Sequence, residues 1–213
     1  MPDLSNCVVY DVEIVTVPDE TPGGWDNPEG MGFASGVTYD YATDLYEFFL
    51  HPANAEGLRT KLTNRIAITF NGIKFDSRVL LGNEREINQG FTRSQDNRYI
   101  WFNYDILLEY IKSRFNYATV ADAEERLGDR KIHDGSFSLD ALGKATLGIG
   151  KTGHGAHAPI LYQQKQYDAL LSYNLQDTRL TKKLFDFIRA YSYVVDGHGK
   201  KMEILWSPWK ELI

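Results

Sequence analysis

The stretch Cys7–Val15, CVVYDVEIV, decides how this chain is read. Apolar and β-branched residues fill both alternating sets, as in a central strand covered on both faces. Into that strand the sequence sets two acids, Asp11 and Glu13, two residues apart, so both side chains leave the same face. Carboxylates facing a packed interior repel one another unless one stays protonated or a cation lies between them. The plainer alternative is that one of the pair reaches water at a sheet edge.

Outward from this strand the chain alternates strand and helix signals. A loop rich in Pro, Gly and Asp runs from Pro18 to Gly30 with Trp25 in its middle. Residues 31–39 and 44–50 read as two strands joined by a turn over 40–43, which predicts an antiparallel meander with the first strand. Residues 53–63 read as a short helix and 65–70 as a strand leading into Asn71–Gly72 and a helix beginning near Phe75. A short strand over 98–102 precedes an amphipathic helix in DILLEYIKSRF, and further helices are expected over 119–127 and 138–147, the latter with Ser138 as its N-cap. Residues 165–190 carry Tyr167, Leu170, Leu171, Asn174, Asp177, Leu180, Leu184, Phe187 and Ile188 at helical spacing. The tail reads as a hairpin turning at Asp196–Gly199. With no repeat, low-complexity tract or linker, the expectation is one α/β domain over residues 1–213, with a C-terminal hairpin extension at 191–213.

Composition narrows the function classes. At 213 residues, 43% hydrophobic and 13% aromatic, the chain can bury a full core, which argues against disorder. The single cysteine, Cys7, has no partner for a disulfide, and no Cys/His zinc spacing is present. No basic segment followed by an apolar stretch opens the chain and no apolar run approaches a membrane span, so a soluble, cytoplasmic protein is expected, without membrane contact. A net charge of −6 argues against sequence-independent electrostatic coating of nucleic acid. A metal-dependent nuclease remains compatible with it, because bound cations invert the local field.

Two further acidic positions stand in chemically suggestive settings. In NGIKFD, Gly72 permits a tight exit from the sheet, Phe75 is placed to pack or stack, and Asp76 opens a helix near its positive end. In YNLQD, Tyr173 and Asp177 are four apart on the long helix and share a face. Each has an ordinary reading alone: Asp76 as a residue favouring a helix terminus, Tyr173 as a core aromatic with Asp177 in water.

Taken jointly, the strand with DVE, the strand–turn–helix with NGIKFD and the helix with YNLQD resemble the three motifs of DEDD-superfamily exonucleases. They are most similar to the DEDDy branch, in particular the exonuclease domains of family B DNA polymerases and stand-alone relatives. The resemblance runs from about residue 7 to residue 188 and includes FSLDALGKATLGIGK before the last motif. Five positions before Asp177, where the DEDDh branch has histidine, this chain has Ser172.

The resemblance implies a ribonuclease H-like mixed sheet with flanking helices, and 3′–5′ exonuclease activity on single-stranded DNA or RNA ends, DNA being favoured. It further implies two divalent ions, Mg²⁺ or Mn²⁺. Asp11, Glu13 and Asp177 would hold one, Asp11 would reach the second, and Asp76 would complete the metal site through bound water. Tyr173 would orient the attacking water. Asn71 and Phe75 would hold the terminal nucleotide, and a polymerase or helicase is an expected partner. Ile14 departs from the small or hydroxyl residue common after the first motif, and these residues hold no polymerase domain.

Other signals are weaker. Gly150–Lys151–Thr152 suggests a phosphate loop, but the required glycine five positions before Gly150 is Ala145. Lys151 is instead placed to contact a substrate phosphate. His154 and His157 lack a third soft ligand, and Trp101, Phe102 and Tyr104 are able to stack bases but read first as core aromatics. Trp206 and Trp209 fit either packing on the domain or a partner. Two other classes compete with the nuclease: a binding module of the same fold without catalysis, and a small-substrate phosphoesterase. A haloacid dehalogenase-type phosphatase would need a second Asp where Glu13 stands.

Overall fold

In the computed structural model, which describes residues 3–82, 85–88, 91–151 and 157–206, the N-terminal apolar run forms strand β1 (Cys7–Ile14). Seven of its eight residues are buried, and the half-buried exception is Asp11. Strand β2 (Phe33–Asp40) lies antiparallel beside it, placing Val37 opposite Asp11 and Ser35 opposite Glu13. Strand β3 (Leu45–Leu50) completes the meander on the outside. On the other flank of β1, strand β4 (Ile66–Thr69) and then strand β7 (Ile100–Asp105) run parallel to it. A hairpin of β5 (Arg85–Asn88) and β6 (Phe91–Ser94) extends the sheet antiparallel beyond β7. The result is a seven-stranded mixed sheet in the order β3-β2-β1-β4-β7-β6-β5.

Helices cover both faces. On one side α1 (Ala55–Leu62) and α2 (Asp76–Leu81) enclose Val8, Tyr10 and Val12 of β1 together with Leu58, Leu80 and Trp101. On the other, α3 (Ile106–Phe115), α4 (Val120–Leu127), α5 (Leu139–Leu147) and α7 (Tyr167–Tyr191) bury Cys7, Val9, Ile68, Leu108, Leu142, Leu184 and Phe185. The short α6 (Ala158–Gln163) leads into α7. The alternation of β1 therefore places Asp11 and Glu13 in the row of Cys7 and Val9, on the face covered by α7. Helix α7 turns a continuous stripe of Leu170, Asn174, Asp177, Leu180, Leu184 and Ile188 toward the sheet. That stripe begins apolar, turns polar at two positions and becomes apolar again, so its polar pair meets the two acids of β1.

Most expected elements are present within a few residues. The sheet contains one hairpin, β5–β6, that the sequence reading did not anticipate, because REIN and FTRS are four-residue strands without apolar alternation. Helix α6 was also unanticipated; it has six residues with a proline in its first turn, too short for a periodic signal. The strand expected over 98–102 ends at Asp105, which serves as N-cap of α3. The tail hairpin is formed by β8 (Tyr193–Val195) and β9 (Lys201–Glu203). Beyond it Trp206, half-buried, packs edge-on against Phe185 and Tyr104 of the core, with ring centroids 4.5 and 4.7 Å away. Trp101 and Tyr104 are buried as well. Trp209 and His154 lie outside the described residues. Among the described residues no helix is long and apolar enough to cross a membrane.

Candidate metal centre

The exit from β4 builds the first part of the site. Asn71 adopts the left-handed conformation, φ 68°, which asparagine tolerates better than most residues. A Cβ on Gly72 would lie 2.4–2.5 Å from the side chain of Thr69, so only glycine fits there. The turn is anchored by Asp105: its two carboxylate oxygens accept the backbone N–H groups of Asn71 (2.9 Å) and Ile73 (3.1 Å), and one also caps α3 through Leu107 (3.0 Å) and Leu108 (3.3 Å). Burial raises the Asp105 pKa to about 6, and these four N–H donors work against the rise.

This turn aims Asp76 at β1. The parallel pairing between β1 and β4 covers only Cys7–Val9, so β1 has no backbone partner from β4 further along. The Asp76 carboxylate takes that place, accepting the Val12 N–H at 2.8 Å. Asp76 is 3% exposed, and burial lifts its pKa to about 7 despite the Val12 donor.

Asp11, Glu13 and Asp177 converge from β1 and α7. One carboxylate oxygen from each lies within 4.8 Å of the others, a spacing one cation can span. Asp76 stands outside that triad, next to Asp11, whose pKa is raised by burial and then by the charges of Asp76, Asp177 and Glu13. Burial and Asp177 likewise raise Glu13, and burial raises Asp177. Asn174, one turn before Asp177, donates from Nδ2 to Asp11 Oδ2 at 2.6 Å, and its Oδ1 accepts from Ser35 Oγ at 3.2 Å. With 0% exposure, Asn174 fixes the Asp11 carboxylate from the helix side. Sequence reasoning put Asn174 on the sheet-facing side of α7 without giving it this task; its spacing of three from Asp177 was the available signal.

Tyr173 lines the same cavity as the acids. Neither its buried hydroxyl nor Asp177 Oδ1 makes a hydrogen bond of normal geometry, but the two groups face each other and the phenol favours the Asp177 carboxylate. Burial, followed by the charges of Asp177, Glu13 and Asp11, pushes the Tyr173 pKa upward, which keeps the phenol protonated. Lys151 follows α5, its backbone N–H donating to Asp140 Oδ1 at 2.7 Å. Its ammonium forms a short ion pair with Asp177 Oδ2 and lies 5.8 Å from the Tyr173 ring centroid. Burial disfavours the lysine charge, but Asp177, Asp11 and Glu13 outweigh it and raise the pKa.

These residues border a cavity of about 940 Å³ also lined by Asn71, Phe75, Trp25, Lys74, Arg78, His133 and Phe137. The donor set fits a hard divalent cation: all oxygen, buried or half-buried, and, among the described residues, with the Lys151 ammonium paired to one of the three acids. All eight residues singled out from the sequence therefore face one cavity: Asp11, Glu13, Asp76, Tyr173, Asp177, Asn71, Phe75 and Lys151. Comparison with protein-family models and with curated proteins finds no match to this chain.

Proposed function

We propose that this chain is a metal-dependent 3′–5′ exonuclease with a ribonuclease H-like fold and a DEDDy-type centre. Its substrate would be the 3′ end of single-stranded nucleic acid, DNA in preference to RNA. The observation that carries the reading is the convergence of Asp11, Glu13 and Asp177 within 4.8 Å of one another, with the Tyr173 hydroxyl facing Asp177. The strand order β3-β2-β1-β4-β7, with an antiparallel meander followed by two parallel strands, supports the fold assignment.

Two divalent ions, Mg²⁺ or Mn²⁺, would supply Lewis acidity for water activation and for charge on the leaving 3′ oxygen. Asp11, Glu13 and Asp177 would bind the first, Asp11 would share the second, and Asp76 would act through ordered water while tying α2 to β1. Asn174 keeps the Asp11 carboxylate from rotating as its charge is redistributed. The Tyr173 hydroxyl, held protonated, donates or accepts a hydrogen bond at the attacking water and sets its line of approach. Lys151 neutralises Asp177 before ions bind, and its ammonium then becomes available to a non-bridging phosphate oxygen. Asn71 and Phe75 border the space for the terminal nucleotide. A polymerase or helicase is the proposed protein partner.

The test is cleavage of 5′-labelled DNA and RNA oligomers in Mg²⁺, Mn²⁺ or EDTA. The reading expects a metal-dependent ladder shortening from the 3′ end, absent in Asp11→Ala. Binding without cleavage in either ion would favour the non-catalytic module, and hydrolysis confined to mononucleotide esters would favour the phosphoesterase.

A further inference from the structure

Between β1 and β2 the chain forms a loop that is built rather than slack. Its two ends are joined, Val15 N–H donating to Gly32 O at 3.0 Å and Thr16 N–H to Met31 O at 3.0 Å. Within it, consecutive 3₁₀ turns at 18–20, 24–26 and 28–31 are linked by Thr21 N–H to Pro18 O (3.0 Å) and Gly24 N–H to Thr21 O (2.8 Å). The Asn27 side chain donates to Pro22 O at 2.8 Å and accepts from Gly30 N–H at 3.2 Å. From α2, two residues after Asp76, Arg78 donates to Asp26 O at 2.9 Å and pairs with Glu29 at 2.7 Å. The loop is thus pinned to the element that carries a site carboxylate.

On this fixed loop Trp25 is 60% exposed. Its indole lines the same cavity as Asp11, Glu13 and Asp177. The nearest ring is Phe75, with a centroid separation of 6.0 Å and an interplanar angle of 45°. At that tilt the two rings do not stack on each other, and the indole keeps an open face. A fold that holds a large aromatic rigidly in water forgoes burial that a planar ligand would restore. Lys74 and Lys151 border the same space, each already facing a carboxylate, Glu124 and Asp177 respectively, and Arg78 is held by Glu29, so the cavity joins an open π-face to cations that a phosphate would have to share.

We propose that Trp25 is a substrate-positioning residue whose indole, backed by Phe75, stacks on the base of the terminal nucleotide. This inference rests on the exonuclease reading and deepens it by specifying the end it selects: one whose last base is present and unpaired. Every nucleobase has a π-face, so the contact discriminates weakly among bases and strongly against an abasic end.

The experiment compares kcat/KM of the full chain on 5′-labelled oligomers ending in thymidine or in an abasic tetrahydrofuran nucleotide, for wild type, Trp25→Phe and Trp25→Ala. Wild type is expected to prefer the base-bearing end by roughly 5- to 150-fold, the span of stacking one base on an aromatic side chain. The preference should reside mainly in KM, persist in large part in Trp25→Phe and fall toward unity in Trp25→Ala. A wild-type ratio retained in Trp25→Ala, in a protein that cleaves with Mg²⁺ or Mn²⁺, overturns this inference and leaves the exonuclease reading standing. A wild type that cleaves neither oligomer counts against the exonuclease reading, and titration with thymidine monophosphate then decides for Trp25 alone. Quenching of tryptophan emission that disappears in Trp25→Phe upholds base stacking, and the same emission response in both proteins overturns it.

Discussion

Replacing Asp11 by Asn should have opposite effects on the protein with and without divalent ions. Asp11, Glu13 and Asp177 present carboxylate oxygens within 4.8 Å of one another. At an effective dielectric of about 20, two full charges at 4.8 Å repel by about 3.5 kcal/mol. Lys151 offsets most of the charge of Asp177, which leaves the Asp11–Glu13 pair and the adjacent Asp76 as the uncompensated repulsion. Protonation caps the penalty, since neutralising a carboxyl of ordinary pKa about 4 at pH 7 costs about 4 kcal/mol. The substitution keeps the hydrogen bond from Asn174 Nδ2, because the carboxamide oxygen can accept it as Asp11 Oδ2 does. In EDTA the variant should therefore be more stable than wild type by about 1–3 kcal/mol, a rise of roughly 2–12 °C in Tm for a chain of this size. Ion binding at 100 times Kd stabilises wild type by about 2.7 kcal/mol, or roughly 5–11 °C, and the variant should lose most of that shift. Scanning calorimetry at pH 7.5, in EDTA and in saturating Mn²⁺, reads both effects. A variant that melts no higher than wild type in EDTA, or that gains the same Mn²⁺ shift, refutes the reasoning.

Four further outcomes are expected. Tyr173→Phe should slow turnover by about 10- to 1000-fold, the range for a positioned polar group, while leaving Tm close to wild type, since its hydroxyl makes no hydrogen bond of normal geometry; a normal rate in single-turnover cleavage would remove Tyr173 from the mechanism. Asp105→Ala should destabilise by about 2–5 kcal/mol in denaturant unfolding, because one carboxylate satisfies four N–H groups of the 71–73 turn and the α3 cap. Lys151→Met should tighten Mn²⁺ binding by roughly tenfold in calorimetric titration, since the ammonium that competes for Asp177 is gone; weaker binding would contradict that competition. Finally, Asp76 has a folded pKa of about 7 against an unfolded value near 4, so the folded state binds the extra proton and metal-free stability should fall as pH rises across that window. Asp76→Asn should flatten this slope in Tm measured between pH 4.5 and 7.5.

How much of this was visible in the sequence depends on the range of each interaction. The period of two in CVVYDVEIV put Asp11 and Glu13 on one face, and the i, i+4 spacing put Tyr173 beside Asp177, both without tertiary knowledge. The polar break in the α7 stripe also fixed which face of that helix meets the sheet. By contrast, the Asn174–Asp11 hydrogen bond joins residues 163 apart, so the spacing from Asp177 put Asn174 on the right face but could not name its partner. Lys151 read as a phosphate contact because its partner Asp177 lies across the fold. Asp105 read as the start of a helix, which it is, while its second task at the 71–73 turn arises only when β4 and β7 lie side by side. The orientation of Trp25 depends on Arg78 reaching back from α2 to the loop, a contact that composition and periodicity do not encode.

The account stands most directly on where the ions bind. Crystals soaked with Mn²⁺ and a dinucleotide carrying a non-hydrolysable phosphorothioate would show this by anomalous scattering. The account predicts two peaks about 3.5–4 Å apart, one among Asp11, Glu13 and Asp177 and the other touching Asp11, with the phosphorothioate between them and Tyr173 facing it. No peak within the three carboxylates at saturating Mn²⁺, or a dinucleotide bound away from them, would contradict it.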